Sequence, residues 1–242
     1  MSDSAQNKSL GSKALDLAFE MPATIIDRDE YLTSCFQSKF SEEKVKEIIK
    51  TSPIKAQINK ELLHMLAEDS ISYEKFLATT TSAVTGLPGG WAAVPASVAD
   101  AAQFLSHEMR LVQKLAYLYG YPNFKNSKGS FDDGTKNIII LFLGAMYQIK
   151  GVGSIIEKVA QHFAEKATKD IAKAALTKTA WYPVLKEICK TFAIKLTKDG
   201  LGKAIGKAIP ILGAGISGGL TYYTFSKQSK RLHKRFIDNP VK

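Results

Sequence analysis

Apolar residues recur at every third or fourth position through most of this chain, and nowhere do they alternate with polar ones for the length of a strand. Ser41-Glu42-Glu43 has the composition of a helix start, and behind it Val45, Ile48 and Ile49 share one face up to Ser52-Pro53. Ile54, Ile58, Leu62, Leu63 and Leu66 predict a second helix from Pro53 onward. Residues 76–99 carry no charge, and Gly86-Leu87-Pro88-Gly89-Gly90 and Pro95 cut them into a helix, a turn and the start of a further helix. That helix runs through Leu105, Leu111, Val112, Leu115 and Leu118 to a stop at Gly120-Tyr121-Pro122.

Residues 123–136 are polar and read as the main loop. Residues 137–149 are the most apolar window, yet they fall short of the ~20 needed to span a bilayer and predict a buried central helix instead. Beyond Gly151 and Gly153, Ile155, Ile156, Val159, Phe163, Ala167, Ile171 and Ala174 mark one face of a long amphipathic helix. Another, from Pro183, carries Val184, Leu185, Ile188, Phe192 and Leu196. Residues 1–40 are polar and broken by Pro22, which predicts a loosely structured leader ahead of a domain at 41–242. The fold class is therefore all-α: a compact multi-helix bundle with glycine-rich apolar helical hairpins at 76–99 and 208–226.

Composition narrows the chemistry. With 45% apolar content over 242 residues the chain can bury a real core. Cys35 and Cys189 stand far apart without ligand spacing, so neither a disulfide framework nor a structural zinc site is expected, and both read as buried reduced thiols. His64, His107, His162 and His233 are scattered, and His107-Glu108 lacks the second histidine of a zincin motif; no metal or cofactor is expected. The first residues have no continuous apolar stretch of the kind a secretory signal needs, which predicts a cytoplasmic protein.

The net charge of +10 is unevenly spread: residues 1–100 hold 10 Lys/Arg against 14 Asp/Glu, and residues 101–242 hold 23 against 9. A basic C-terminal part suits an anionic membrane surface, an acidic partner or nucleic acid. Only Arg28, Arg110, Arg231 and Arg235 are arginines, which weighs against base readout and so against nucleic acid.

Residues 208–226, AIPILGAGISGGLTYYTFS, spell both the dinucleotide fingerprint and the serine-hydrolase elbow. The first needs a preceding strand and further βα units, which the chain lacks the length to supply after Gly218. The second needs an acid and then a histidine downstream, whereas the order here is Ser217, His233, Asp238. The glycines read instead as helix-packing residues at G-x-x-x-G spacing, in the pairs Gly86 with Gly90 and Gly215 with Gly219. Two polar patterns remain. Asp100, Gln103, His107, Arg110 and Lys114 form a stripe along one helix, either a solvated face or a cleft or partner site. Lys227, Lys230, Arg231, Lys234 and Arg235 form a basic face, with Phe225, Leu232 and Phe236 on another side, as on a helix lying at an anionic membrane surface.

Thr85 to Gly90, Asp100, Arg110-Leu111-Val112-Gln113, Ala116 to Tyr121 and Ala208 to Gly219 with Tyr222 or Tyr223 together resemble the EcsC family over roughly residues 45–236. The resemblance implies a bacterial protein accessory to an ABC transporter or secretion system and brings no settled activity or cofactor. The expected function is that of a non-enzymatic, amphitropic helical protein on the inner face of the membrane, with the membrane surface or a transporter as partner. The alternatives are a cytosolic adaptor for an acidic partner, a pore-forming or toxin-like protein, and an enzyme with a site near Asp100 and Arg110.

Overall fold

In the computed structural model, which describes residues 10–80, 96–165, 188 and 218–242, the periodic segments become α1 (Leu10–Glu20), α2 (Arg28–Phe36), α3 (Glu42–Lys50), α4 (Lys60–Thr80), α5 (Ala96–Leu118), α6 (Asp133–Met146), α7 (Val152–Glu165) and α8 (Gly218–Asp238). A short 3-10 turn occupies Pro22–Thr24, and no strand occurs among the described residues. The fold is an all-α bundle. Its axis is α5, which touches α1, α2, α4, α6, α8 and the 3-10 turn. Such company explains why Leu105, Leu111, Val112, Leu115, Ala116 and Tyr117 on nearly every side of α5 are wholly buried. Contacts of Phe104 with Phe225, and of Tyr119 with His233 and Phe236, set α8 parallel to α5. Contacts of Lys75 with Tyr222 and of Glu68 with His233 set α4 antiparallel to α8.

Three expectations are corrected. Residues 10–40 are no loose leader: Ala14, Leu15, Leu17, Ala18 and Phe19 of α1 are buried, and α1 lies along α5. The short period of that helix was masked by Gly11, Ser12 and Pro22, while Asp27 caps α2 by accepting from the backbone N–H groups of Asp29 and Glu30. The helix expected from Pro53 starts at Lys60, because Gln57 takes φ 55° and breaks the run between Ile54 and Ile58. The polar loop ends at Asp132, whose carboxylate accepts from Thr135 N–H at 2.7 Å and opens α6 before the apolar window begins. The buried central helix at that window is present: Ile138 through Met146 are all buried.

The helical stop at Gly120 has a second role. Gly120 has φ +92°, and a Cβ there would lie 2.5 Å from the Val241 carbonyl oxygen. The C-terminal segment crosses at this point, with Val241 N–H donating to Tyr119 O at 2.9 Å and the Tyr121 hydroxyl donating to Asn239 O at 3.0 Å.

Candidate functional site

The polar stripe of α5 converges on an acid that the sequence did not single out. Glu74, fully buried near the end of α4, lies 2.8 Å from His107 Nδ1, 3.1 Å from Arg110 Nε and 2.6 Å from Lys114 Nζ. Burial pushes the Glu74 carboxyl up, but the His107 hydrogen bond and the Lys114 and Arg110 charges outweigh it and hold the pKa down at about 2. Burial pulls the Lys114 ammonium down while Glu74 opposes that, and the rings of Tyr73 and Tyr31 lie 4.6 and 5.9 Å from Lys114 Nζ. The cluster saturates its own members. Asp100 stands ten residues before Arg110, about 15 Å along the helix, and has no hydrogen-bond or ion-pair partner among the described residues; burial raises its pKa. Gln103 is half-buried on the same side. Of the expected cleft residues, His107 and Arg110 meet at Glu74, and neither Asp100 nor Gln103 bonds to that cluster among the described residues.

Residues on successive turns of α5 hold the chain that leads into α2. Ser106 Oγ is 2.7 Å from Thr24 Oγ1, the Gln113 amide donates to Thr24 O at 2.7 Å and accepts from Ile26 N–H at 3.0 Å, and the Tyr117 hydroxyl donates to Ile26 O at 3.2 Å. Arg110 adds a bond to Ala23 O. The motif Arg110-Leu-Val-Gln113 is thus a clamp on residues 23–26.

A second buried carboxyl, Glu108, faces the opposite way and receives the Tyr147 hydroxyl at 3.0 and 3.2 Å. No cation approaches it among the described residues, so burial, only partly opposed by Tyr147, raises its pKa to about 8. Between α4 and α8, His64, Glu68 and His233 come together with their ligand atoms within 4.8 Å of one another. His233 Nδ1 faces Glu68 Oε1 at 3.0 Å and Nε2 faces the Tyr119 hydroxyl at 2.9 Å. Burial lowers the His233 pKa despite Glu68. Scattered in sequence, these histidines meet only through the pairing of the two helices, although the four-residue step from His64 to Glu68 is legible.

On α8, Lys227, Lys230, Lys234 and Arg235 are exposed, whereas Arg231 turns inward and donates to Met146 O at 3.0 Å at the end of α6. The expected surface of five cations is therefore four. Phe225, Leu232 and Phe236 are fully buried on the other side, as their spacing requires. Gly86, Gly90 and Gly215 lie outside the described residues, and Gly219 sits in the first turn of α8. Tight packing is visible at Gly144, where a Cβ would come within 2.7 Å of Ile188 Cδ1. Cys35 is free and half-buried.

No helix among the described residues is long and apolar enough to cross a membrane. What fold and site define is an all-α bundle with a self-satisfied buried ion cluster and a basic outer helix. Residues 23–236 match the EcsC protein family, and the chain belongs to that family. The match begins inside the segment expected to be a leader, at the residue whose carbonyl Arg110 holds. No curated protein and no solved structure gives a match.

Proposed function

We propose that this chain is an amphitropic protein that docks on an anionic membrane surface through α8, serving there as a non-enzymatic accessory of a membrane system such as an ABC transporter. The observation that carries the reading is a single row on α8. Tyr223, Lys227, Lys230, Lys234 and Ile237 follow one another at steps of four, three, four and three, all exposed, and the three lysines have no acidic partner among the described residues. Cations between an exposed aromatic and an exposed aliphatic side chain suit an interface where ammonium groups meet phosphates and apolar tips reach the acyl boundary. Lysine fits this task, since a flexible point charge needs no fixed partner geometry.

Each lysine near such a surface contributes about 1 kcal/mol, so the row supplies about 3 kcal/mol, or roughly a hundredfold in affinity. Cosedimentation at low salt with vesicles of phosphatidylcholine alone, or mixed with phosphatidylglycerol, tests it. Wild type is expected to sediment only with the anionic vesicles and to be released by salt, while the K227E/K230E/K234E variant stays in the supernatant. Equal behaviour of the two proteins, or indifference of wild type to lipid charge, sinks the reading. An acidic protein partner in solution would then stand as the alternative.

A further inference from the structure

The cluster between α4 and α8 has the composition of a metal centre. We infer that His64, Glu68 and His233 form a binding site for one divalent transition-metal ion, with zinc as its occupant, and that the ion staples α8 to α4. Two imidazoles and one carboxylate are a borderline-soft donor set that suits zinc and disfavours magnesium, which takes oxygen ligands. Among the described residues this is the one group of three such side chains whose donor atoms lie within 4.8 Å of one another.

The geometry is close to closed. With metal–ligand bonds of roughly 2.0–2.1 Å, two donors of a tetrahedral ion stand about 3.3 Å apart. His233 Nδ1 and Glu68 Oε1 already lie 3.0 Å apart, near that edge length. His64 supplies the third donor. Its ring now stacks on that of His233, centroids 5.0 Å apart and planes 18° from parallel, so it must turn about its own side-chain bonds to aim a nitrogen at the ion. As an exposed side chain one turn before Glu68 on α4, it has room to do so.

The surroundings are arranged as metal sites arrange theirs. With the proton on His233 Nε2, that N–H donates to the Tyr119 hydroxyl oxygen at 2.9 Å, which leaves the Nδ1 lone pair directed toward Glu68. His233 itself is buried and packed against Tyr119, so one ligand is rigid. Glu68 and His64 face solvent, so the fourth position is open to water.

Isothermal titration of tag-free full-length protein with Zn2+, alongside Mg2+ and the visible absorption of Co2+, tests the site. Expected are one equivalent of Zn2+ bound, tetrahedral-type cobalt bands, a zinc-dependent rise in melting temperature and no saturable response to Mg2+. His64→Ala and Glu68→Gln alter exposed side chains and leave the fold intact; each should lose the zinc-dependent shift, and Tyr119→Phe should weaken binding by roughly tenfold or more. His162→Ala, away from the cluster, should bind as wild type does. Absence of saturable zinc binding by wild type, or an unchanged affinity in His64→Ala, overturns the proposal, as does a response to Mg2+ equal to that to Zn2+.

Discussion

Two buried glutamates on adjoining helices carry opposite pH signatures because of what surrounds them. Glu74 is ringed by His107, Arg110 and Lys114 and ionises near pH 2, well below the ordinary 4.5. Its contribution to stability, up to about 3 kcal/mol, is complete above pH ~4.5 and disappears as pH falls toward 2. Glu108 has only the Tyr147 hydroxyl as a partner among the described residues and holds its proton to about pH 8. The folded chain therefore keeps a proton that the unfolded chain releases, and stability declines as pH rises from ~4.5 to 8, by about 3 kcal/mol at pH 7. Glu74→Gln should cost about 3–5 kcal/mol at pH 7 by leaving the Arg110 and Lys114 charges without their carboxylate, with the gap to wild type closing at pH 2–3. Glu108→Gln should match wild type near pH 4 and exceed it increasingly toward pH 8. Urea unfolding of the three proteins across this range checks both profiles, and parallel curves would contradict the assignment. The basic side chains around Glu74 were legible as a three-to-four-residue stripe, but the acid was not. Nothing in Glu74 alone distinguishes a buried acceptor from a surface acid until α4 lies against α5.

At the scale of elements, the arginines are mostly structural and the lysines mostly peripheral. Arg28 donates to Ile49 O at 2.8 Å and Thr51 O at 3.3 Å, closing the end of α3, Arg231 closes the end of α6 through Met146 O, and Arg110 binds Ala23 O. A planar fork satisfies orphan carbonyls at a helix end in a way that an ammonium on a flexible stem does not. This division explains why the basic face predicted on α8 is right in its periodicity and wrong by one member. Helical spacing cannot tell which cation on the border of a face is drawn inward. Arg231→Ala should lower stability by about 1–3 kcal/mol, since Met146 O is left without a partner in a buried setting, whereas neighbouring Lys230→Ala should stay within about 0.5 kcal/mol. Chemical denaturation of both variants checks this; equal, negligible losses would show that Arg231 holds nothing in the bundle and is as free as Lys230.

Taken as one molecule, the bundle is closed at α5 by segments from both ends of the chain. Helical periodicity revealed α5, α7 and α8 because they are amphipathic over several turns, the unbroken apolar window revealed α6, and the all-α class followed. It did not reveal that residues 10–26 belong to the core, because an 11-residue helix beside Pro22 leaves little pattern to read. The resemblance at Arg110 to Gln113 held the missing information: those side chains reach for backbone at 23–26, so the motif implies the segment it clamps. Removing residues 1–27 would take away the buried side chains of Leu15, Leu17, Phe19 and Ile26 and expose the α5 surface they cover. It would also strand Ser106 and Gln113, both buried and both bonded to the lost segment, at a cost of about 1–3 kcal/mol per orphaned group on top of lost apolar burial. A fold with ordinary stability of roughly 5–15 kcal/mol cannot absorb that sum. The truncated chain is therefore expected to lose its cooperative thermal transition while keeping much of its helical circular dichroism, and Gln113→Ala in the full chain should reproduce part of the loss, about 2–4 kcal/mol. A truncated protein that melts cooperatively at the wild-type temperature would return residues 1–27 to the role of a dispensable leader.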